Sequence, residues 1–121
     1  CGITATPPHK DIQKTALGAT ENVYWEYAES ALDVVTKLQK EGTSVWAIEQ
    51  TEAATPLDQF QPNPNQAHAF VLGNEVHGVA QEVVTRCGQA LEIPQFGTKH
   101  SLNISVATGI IVWDFFTKKK L

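Results

Sequence analysis

Two stretches combine glycines with polar side chains closely enough to hold a ligand. They are Gly73-Asn74-Glu75-Val76-His77-Gly78 and Gly97-Thr98-Lys99-His100-Ser101-Leu102-Asn103-Ile104-Ser105. In the first, glycines at both ends of a tight turn let the backbone approach a ligand closely, although the G-x-G-x-x-G spacing of a dinucleotide fingerprint is missing. The second falls short of a phosphate loop, because the first glycine of G-x-x-x-x-G-K-[ST] is absent. His100 stands beside the Ser101 hydroxyl, yet neighbouring residues rarely point at each other and no third member is placed, which argues against a hydrolase. His9, His68, His77 and His100 lack ligand spacing, so no metal site is expected. Asn103-Ile104-Ser105 matches a glycosylation sequon, which we read as accidental at a buried, cytoplasmic position. Ser101, Asn103 and Ser105 nonetheless lie in a run built for burial that continues to Phe115. Buried amides and hydroxyls need partners, supplied either by the fold or by a ligand.

Positioning these stretches falls to strands that alternate with helices. Val23, Trp25 and Tyr27 alternate as in a half-buried strand. Before them, Thr6-Pro7-Pro8-His9 reads as a rigid loop and residues 11–17 as a short helix stopped near Gly18. Ser30 is placed to N-cap a helix that turns Leu32, Val35 and Leu38 inward and ends at Gly42. Residues 45–48 and 69–72 read as short apolar strands. The Gln-, Asn- and Pro-rich residues 50–67 between them read as surface loop with one helical turn at residues 57–60. Val79, Val83, Val84 and Cys87 give a helical face, and residues 91–93 the next strand. The final segment is β-branched but too long for a typical strand, and we read it as a buried helix. The pattern implies an α/β fold with a mostly parallel sheet flanked by helices. In such sheets ligands sit beyond the carboxyl ends of strands, where the loops at residues 49–51, 73–78 and 95–103 emerge.

Composition narrows the function classes. The 121 residues suit one domain, and a hydrophobic share of 42% with a charged share of 18% is ordinary for a globular protein. No apolar run reaches the ~18 residues of a membrane span. The opening Cys1-Gly2-Ile3-Thr4 lacks a basic n-region, so no signal peptide is expected. The two cysteines, Cys1 and Cys87, make no disulfide framework, and a reducing cytoplasm is the expected compartment. A net charge of −4 argues against strong nucleic-acid binding by this chain alone. The one basic cluster, Lys118-Lys119-Lys120, reads as a solvated helix end favoured by the helix dipole. With no methionine, residue 1 reads as lying inside a longer protein.

Three quoted segments, "FVLGNEVHGV", "LEIPQFGTKHSLNISVATGI" and "TPPHKDIQKTALGA", together resemble the SpoU (TrmH-like) branch of the SPOUT RNA methyltransferases. The first two match that family's second and third motifs in order and spacing, and I-P-x-x-G-x-x-x-S-L-N-x-S-V-A is specific. The resemblance covers nearly the whole chain. It implies a SPOUT-type sheet whose C-terminal part threads a trefoil knot, with a helix over about residues 102–117 passing behind the 73–78 loop; this is a rare exception to unknotted connections. The implied cofactor is S-adenosylmethionine, held by Ile48, Gly73, Gly78, Ile93, Ser101 and Leu102. By the same resemblance Glu75, Ser101 and Asn103 lie at the methyl-transfer centre, orienting the substrate and bracing the loops. For Glu75 and Asn103, hydrogen bonds that merely hold the knot together stand as the alternative. No metal is implied.

The implied activity is methylation of a ribose 2′-hydroxyl in tRNA or rRNA. The implied assembly is a homodimer, with Val112, Trp113, Phe115 and Phe116 facing a second copy near Tyr24, Trp25 or Tyr27. One departure stands out. The family's first motif, Asn-x-Gly-x-x-x-Arg, is absent, and Arg86, the only arginine, cannot take its place by motif. The domain is therefore expected to be truncated at its N-terminus and inactive by itself. A non-catalytic RNA- or protein-binding module that keeps the fold is the first rival reading; a flavodoxin-like regulatory domain without a knot is the second.

Overall fold

Val45, Trp46, Ala47 and Ile48 are apolar without interruption, as a strand covered on both faces must be. In the computed structural model, which describes residues 1–7, 10, 22–74, 76–96 and 102–120, this strand lies inside a four-stranded sheet. The described elements run α1 (Ala31–Lys40), β1 (Ser44–Ile48), β2 (Thr55–Pro56), a 3₁₀ turn (Leu57–Gln59), β3 (His68–Val71), α2 (Gln81–Cys87), β4 (Ala90–Glu92) and α3 (Ile104–Lys120). Strand order is β2-β4-β1-β3, and every pairing is parallel.

Register sorts the side chains into two cores. Val45 pairs with Ala69, and Ala47 with both Val71 and Ala90. With Val35 of α1 and Val83 and Cys87 of α2 they form the core under that helix pair. One residue on, Trp46 pairs with Phe70 and Ile48 with Leu91. These face the opposite side, where Leu57, Phe60, Ile111 and Phe115 cover them. A period of two in parallel strands thus yields helix layers on both faces. α1 begins as its sequence foretells: Ser30 Oγ accepts the Asp33 N–H at 3.2 Å.

Five readings need correction. Residues 23–27 form no strand; Val23, Trp25 and Tyr27 are 63%, 43% and 47% exposed. Alternation reports only local propensity, and this segment bonds to the chain's beginning instead, the Tyr27 hydroxyl donating to the Gly2 carbonyl at 2.6 Å and Gly2 N–H to the carbonyl of the following Ala28 at 2.9 Å. Residues 50–67 are more than surface loop: they hold β2, which pairs with β4, and they bury Leu57 and Phe60. Val79 precedes α2 rather than lying on its face, although it packs against the same core. α3 is a helix, but among its described side chains only Ala107 and Ile111 are buried in the single chain. Lys118 and Lys119 near its end are not simply solvated. Lys118 pairs with Asp114 at 2.8 Å and donates to the Leu57 carbonyl at 2.8 Å. Lys119 reaches the carbonyls of Asn63, Pro64 and Gln66 at 2.9–3.3 Å, binding the 57–66 segment to α3. The expected helix at residues 11–17 lies outside the described residues.

Candidate functional site

The carboxyl ends of β1, β3 and β4 and the start of α3 surround a cleft of about 400 Å³. Its apolar lining comes from Ile48, Leu91, Ile93, Leu102, Ile104 and Ala107, and its polar lining from Glu49, Asn74, His77, Glu92 and Gln95. The volume falls in the range of small-molecule pockets, ~300–1,000 Å³.

The turn after β3 forms one wall. Asn74 and Gly78 bond reciprocally, Gly78 N–H to the Asn74 carbonyl at 2.8 Å and Asn74 N–H to the Gly78 carbonyl at 3.2 Å. The Asn74 side chain accepts the N–H groups of Val76 at 2.7 Å and His77 at 3.2 Å, closing the turn from within. Gly73 is required by close approach: a Cβ there would collide with the Gly78 carbonyl and the Val79 nitrogen. Gly78 has φ +68°, the left-handed region that glycine enters without cost to a side chain.

Of the residues expected to hold a cofactor, Ile48, Gly73, Gly78, Ile93 and Leu102 all line this one cleft. Ser101 and Glu75 lie outside the described residues. Asn103 lies in sequence between the cleft-lining Leu102 and Ile104 but does not itself line the cleft; it is exposed, not buried as expected, and its side chain is occupied as the N-cap of α3. Its Oδ1 accepts the Ser105 N–H at 2.8 Å, and its carbonyl accepts the Ala107 N–H at 2.9 Å. Arg86 is remote in kind: it sits in the last turn of α2, in the layer packed on α1, and its carbonyl accepts from Gln39 Nε2 at 2.8 Å. Sequence reasoning missed Glu49 and Asn74. An asparagine opening a glycine-bounded turn was a readable signal, whereas a glutamate after a strand was not. Among the described residues no three His, Cys, Asp or Glu side chains gather as a metal site, and no helix is long and apolar enough to cross a membrane.

A parallel sheet with a glycine-walled cleft at its carboxyl edge defines an α/β ligand-binding domain. The chain belongs to the SpoU rRNA Methylase family, whose model matches residues 2–113. It is similar to the 23S rRNA (guanosine-2'-O-)-methyltransferase RlmB of Neisseria meningitidis serogroup B, with 30% identity over 111 residues, 92% of this chain and 41% of that protein. It is also similar to the tRNA (guanosine(18)-2'-O)-methyltransferase of Aquifex aeolicus, with 28% identity over 100 residues, 80% of this chain and 45% of that protein. The chain therefore spans less than half the length of these two relatives. Among solved structures, the fold matches the A. aeolicus TrmH/SpoU tRNA modifying enzyme at TM-score 0.80 and 24% identity, over 89% of this chain and 54% of that one. It matches the AdoMet-bound rRNA methyltransferase of Sinorhizobium meliloti at TM-score 0.82 and 23% identity, over 93% of this chain and 42% of that one.

Proposed function

We propose that the complete protein transfers a methyl group from S-adenosylmethionine to a ribose 2′-hydroxyl of tRNA or rRNA. The observation that carries this is the convergence of Ile48, Gly73, Gly78, Ile93 and Leu102 on one cleft, in a chain of this family. The activities of the two relatives, both guanosine 2′-O-methyltransferases, support the reaction class. The cleft fits the cofactor's chemistry. Ile48 and Ile93 offer an apolar floor for a base, and Gly73 and Gly78 bring no side chain of their own into the turn that forms the wall. When bound, the cofactor would supply an electrophilic methyl group on sulfur. The chain's own part is to bind, orient and exclude water, since positioning a poor nucleophile in line is much of such catalysis. Glu75, Ser101 and Asn103 are proposed to orient the ribose.

The trefoil knot, a cytoplasmic location and a two-fold homodimer belong to the same reading. α3 is apolar around most of its girth between Ile104 and Phe116, which a helix tolerates where it is covered on several sides. Val112 and Trp113 are 55% and 66% exposed, and Tyr24, Trp25 and Tyr27 are exposed too. Phe115 leaves the proposed interface, because it packs inward on Phe70 at 5.4 Å. A non-catalytic binding module stays the second reading, favoured by the capping role of Asn103, whose Oδ1 is taken up by the Ser105 N–H. Calorimetric titration with S-adenosylmethionine and radiolabelled methyl transfer to bulk tRNA and rRNA decide between them. Binding with 2′-O-methylated nucleosides in the digest supports the enzyme; binding to RNA without cofactor affinity supports the module.

A further inference from the structure

Glu49 follows β1 directly and is partly buried at the cleft. Its N–H donates to the Leu91 carbonyl at 3.1 Å, extending the β1–β4 ladder by one bond. Its side chain reaches the other way, where Oε1 accepts the Val79 N–H at 2.9 Å. Val79 is the residue on which the chain leaves the 73–78 turn. The same carboxylate lies against Gly78: a Cβ at that position would collide with Oε1 and stand 3.2 Å from Oε2. Gly78 is therefore glycine for two separable reasons, its φ of +68° and the carboxylate seated on it.

We infer that Glu49 is a positioning residue for the cleft's ligand, holding the turn at the distance where Gly73, Asn74 and Gly78 form the wall. The inference rests on the cofactor reading above. A carboxylate accepting a backbone N–H makes a stronger bond than a neutral acceptor, and this bond links loops from two different strands. Without it, the turn keeps its internal Asn74 bonds but loses its anchor to β1. The wall then moves as a unit, and the cofactor meets a cleft of variable width, which lowers affinity by the cost of ordering that wall on binding.

The test uses the complete protein with Glu49→Gln, Glu49→Ala, Gly78→Ala and the Glu49→Ala/Gly78→Ala pair. Two readouts are taken: calorimetric affinity for S-adenosylmethionine and its demethylated product, and amide hydrogen exchange at Val79. Glu49→Ala is expected to weaken binding and to speed Val79 exchange by about tenfold each. Glu49→Gln keeps a carbonyl acceptor and is expected to stay within about threefold of wild type on both. Gly78→Ala should weaken binding about tenfold alone, yet add less than about threefold once the carboxylate is gone, a non-additivity expected only of residues in contact. Wild-type affinity in Glu49→Ala, or unchanged Val79 exchange, overturns the inference. A Glu49→Gln loss as large as that of Glu49→Ala overturns it in favour of direct charge contact with the ligand. Failure of the wild type to bind either nucleoside overturns the cofactor reading instead, and Val79 exchange with the variant pair then decides the loop-holding role.

Discussion

Asn103 Oδ1 accepts the backbone N–H of Ser105 at 2.8 Å, so the asparagine of the Ser-Leu-Asn motif is the N-cap of α3. Removing the cap is expected to cost ~0.5–2 kcal/mol. Asn103→Ala should show this loss in urea denaturation, while Asn103→Asp and Asn103→Ser keep most of the stability. If Asn103 also orients the ribose, the two capping variants stay folded yet lose methyl transfer in the complete protein. Full transfer by Asn103→Ser would confine the residue to capping.

Gly73 tolerates not even a methyl group, because the colliding atoms are the backbone of Gly78 and Val79. Gly73→Ala is expected to destabilise the fold by about 1–3 kcal/mol, the usual range for overpacking a tight site. It should also weaken cofactor binding by at least about tenfold. Thermal unfolding and calorimetry check both. An unaltered melting temperature would mean that the turn shifts freely and is not a fixed wall.

Lys119 lies 5.8 Å over the Phe115 ring and donates to three carbonyls of the 63–66 segment. Lys119→Met keeps the alkyl stem but loses those bonds, and a loss of about 1 kcal/mol is expected. Amide exchange should rise at Gln66 in particular. Lys119→Arg should recover much of the stability. An effect equal to that of a distant exposed lysine would reduce these bonds to incidental ones.

Trp113 stacks on Phe116 at 5.9 Å and remains 66% exposed. If α3 meets its copy across a two-fold axis, Trp113→Glu places like charges in an apolar contact and should convert dimer to monomer. Sedimentation at micromolar concentration reads the change directly. A wild-type monomer in the complete protein would sink the assembly proposal.

Cys87 is buried against the α1–α2 core, and burial pushes its thiol pKa up. The native state therefore keeps the proton at a pH where the unfolded chain has begun to lose it. Proton binding is then greater in the native state, so stability falls as pH rises past the ordinary thiol value. Urea midpoints at about pH 7 and about pH 10 should diverge more in wild type than in Cys87→Ala, with ordinary thiols titrating near ~8.5. Ellman's reagent should label exposed Cys1 rapidly and Cys87 only on unfolding. Equal labelling rates in the native protein would contradict the burial.

Much of this protein was readable before any tertiary contact was considered. The Ser30 cap, the unbroken apolar strands, the glycine-bounded turn and the third motif are local or short-range patterns, and local sterics and hydrogen bonding determine them. Five cofactor candidates from four separate segments then met at one cleft, because a parallel sheet gathers the carboxyl ends of its strands on one edge. Other features depended on partners distant in sequence. Residues 23–27 alternate as a strand does, yet pairing requires a neighbour and they have none in the described sheet. Pro56 enters a strand only because β4 lies beside it. Glu49 became an anchor only when the turn, 30 residues on, brought Val79 to its carboxylate. Lys118 and Lys119 found carbonyl acceptors 53–61 residues away. Composition and periodicity determine which faces are buried; which polar group meets which is decided when the chain folds back on itself, since an unpaired buried donor costs too much to leave unmet.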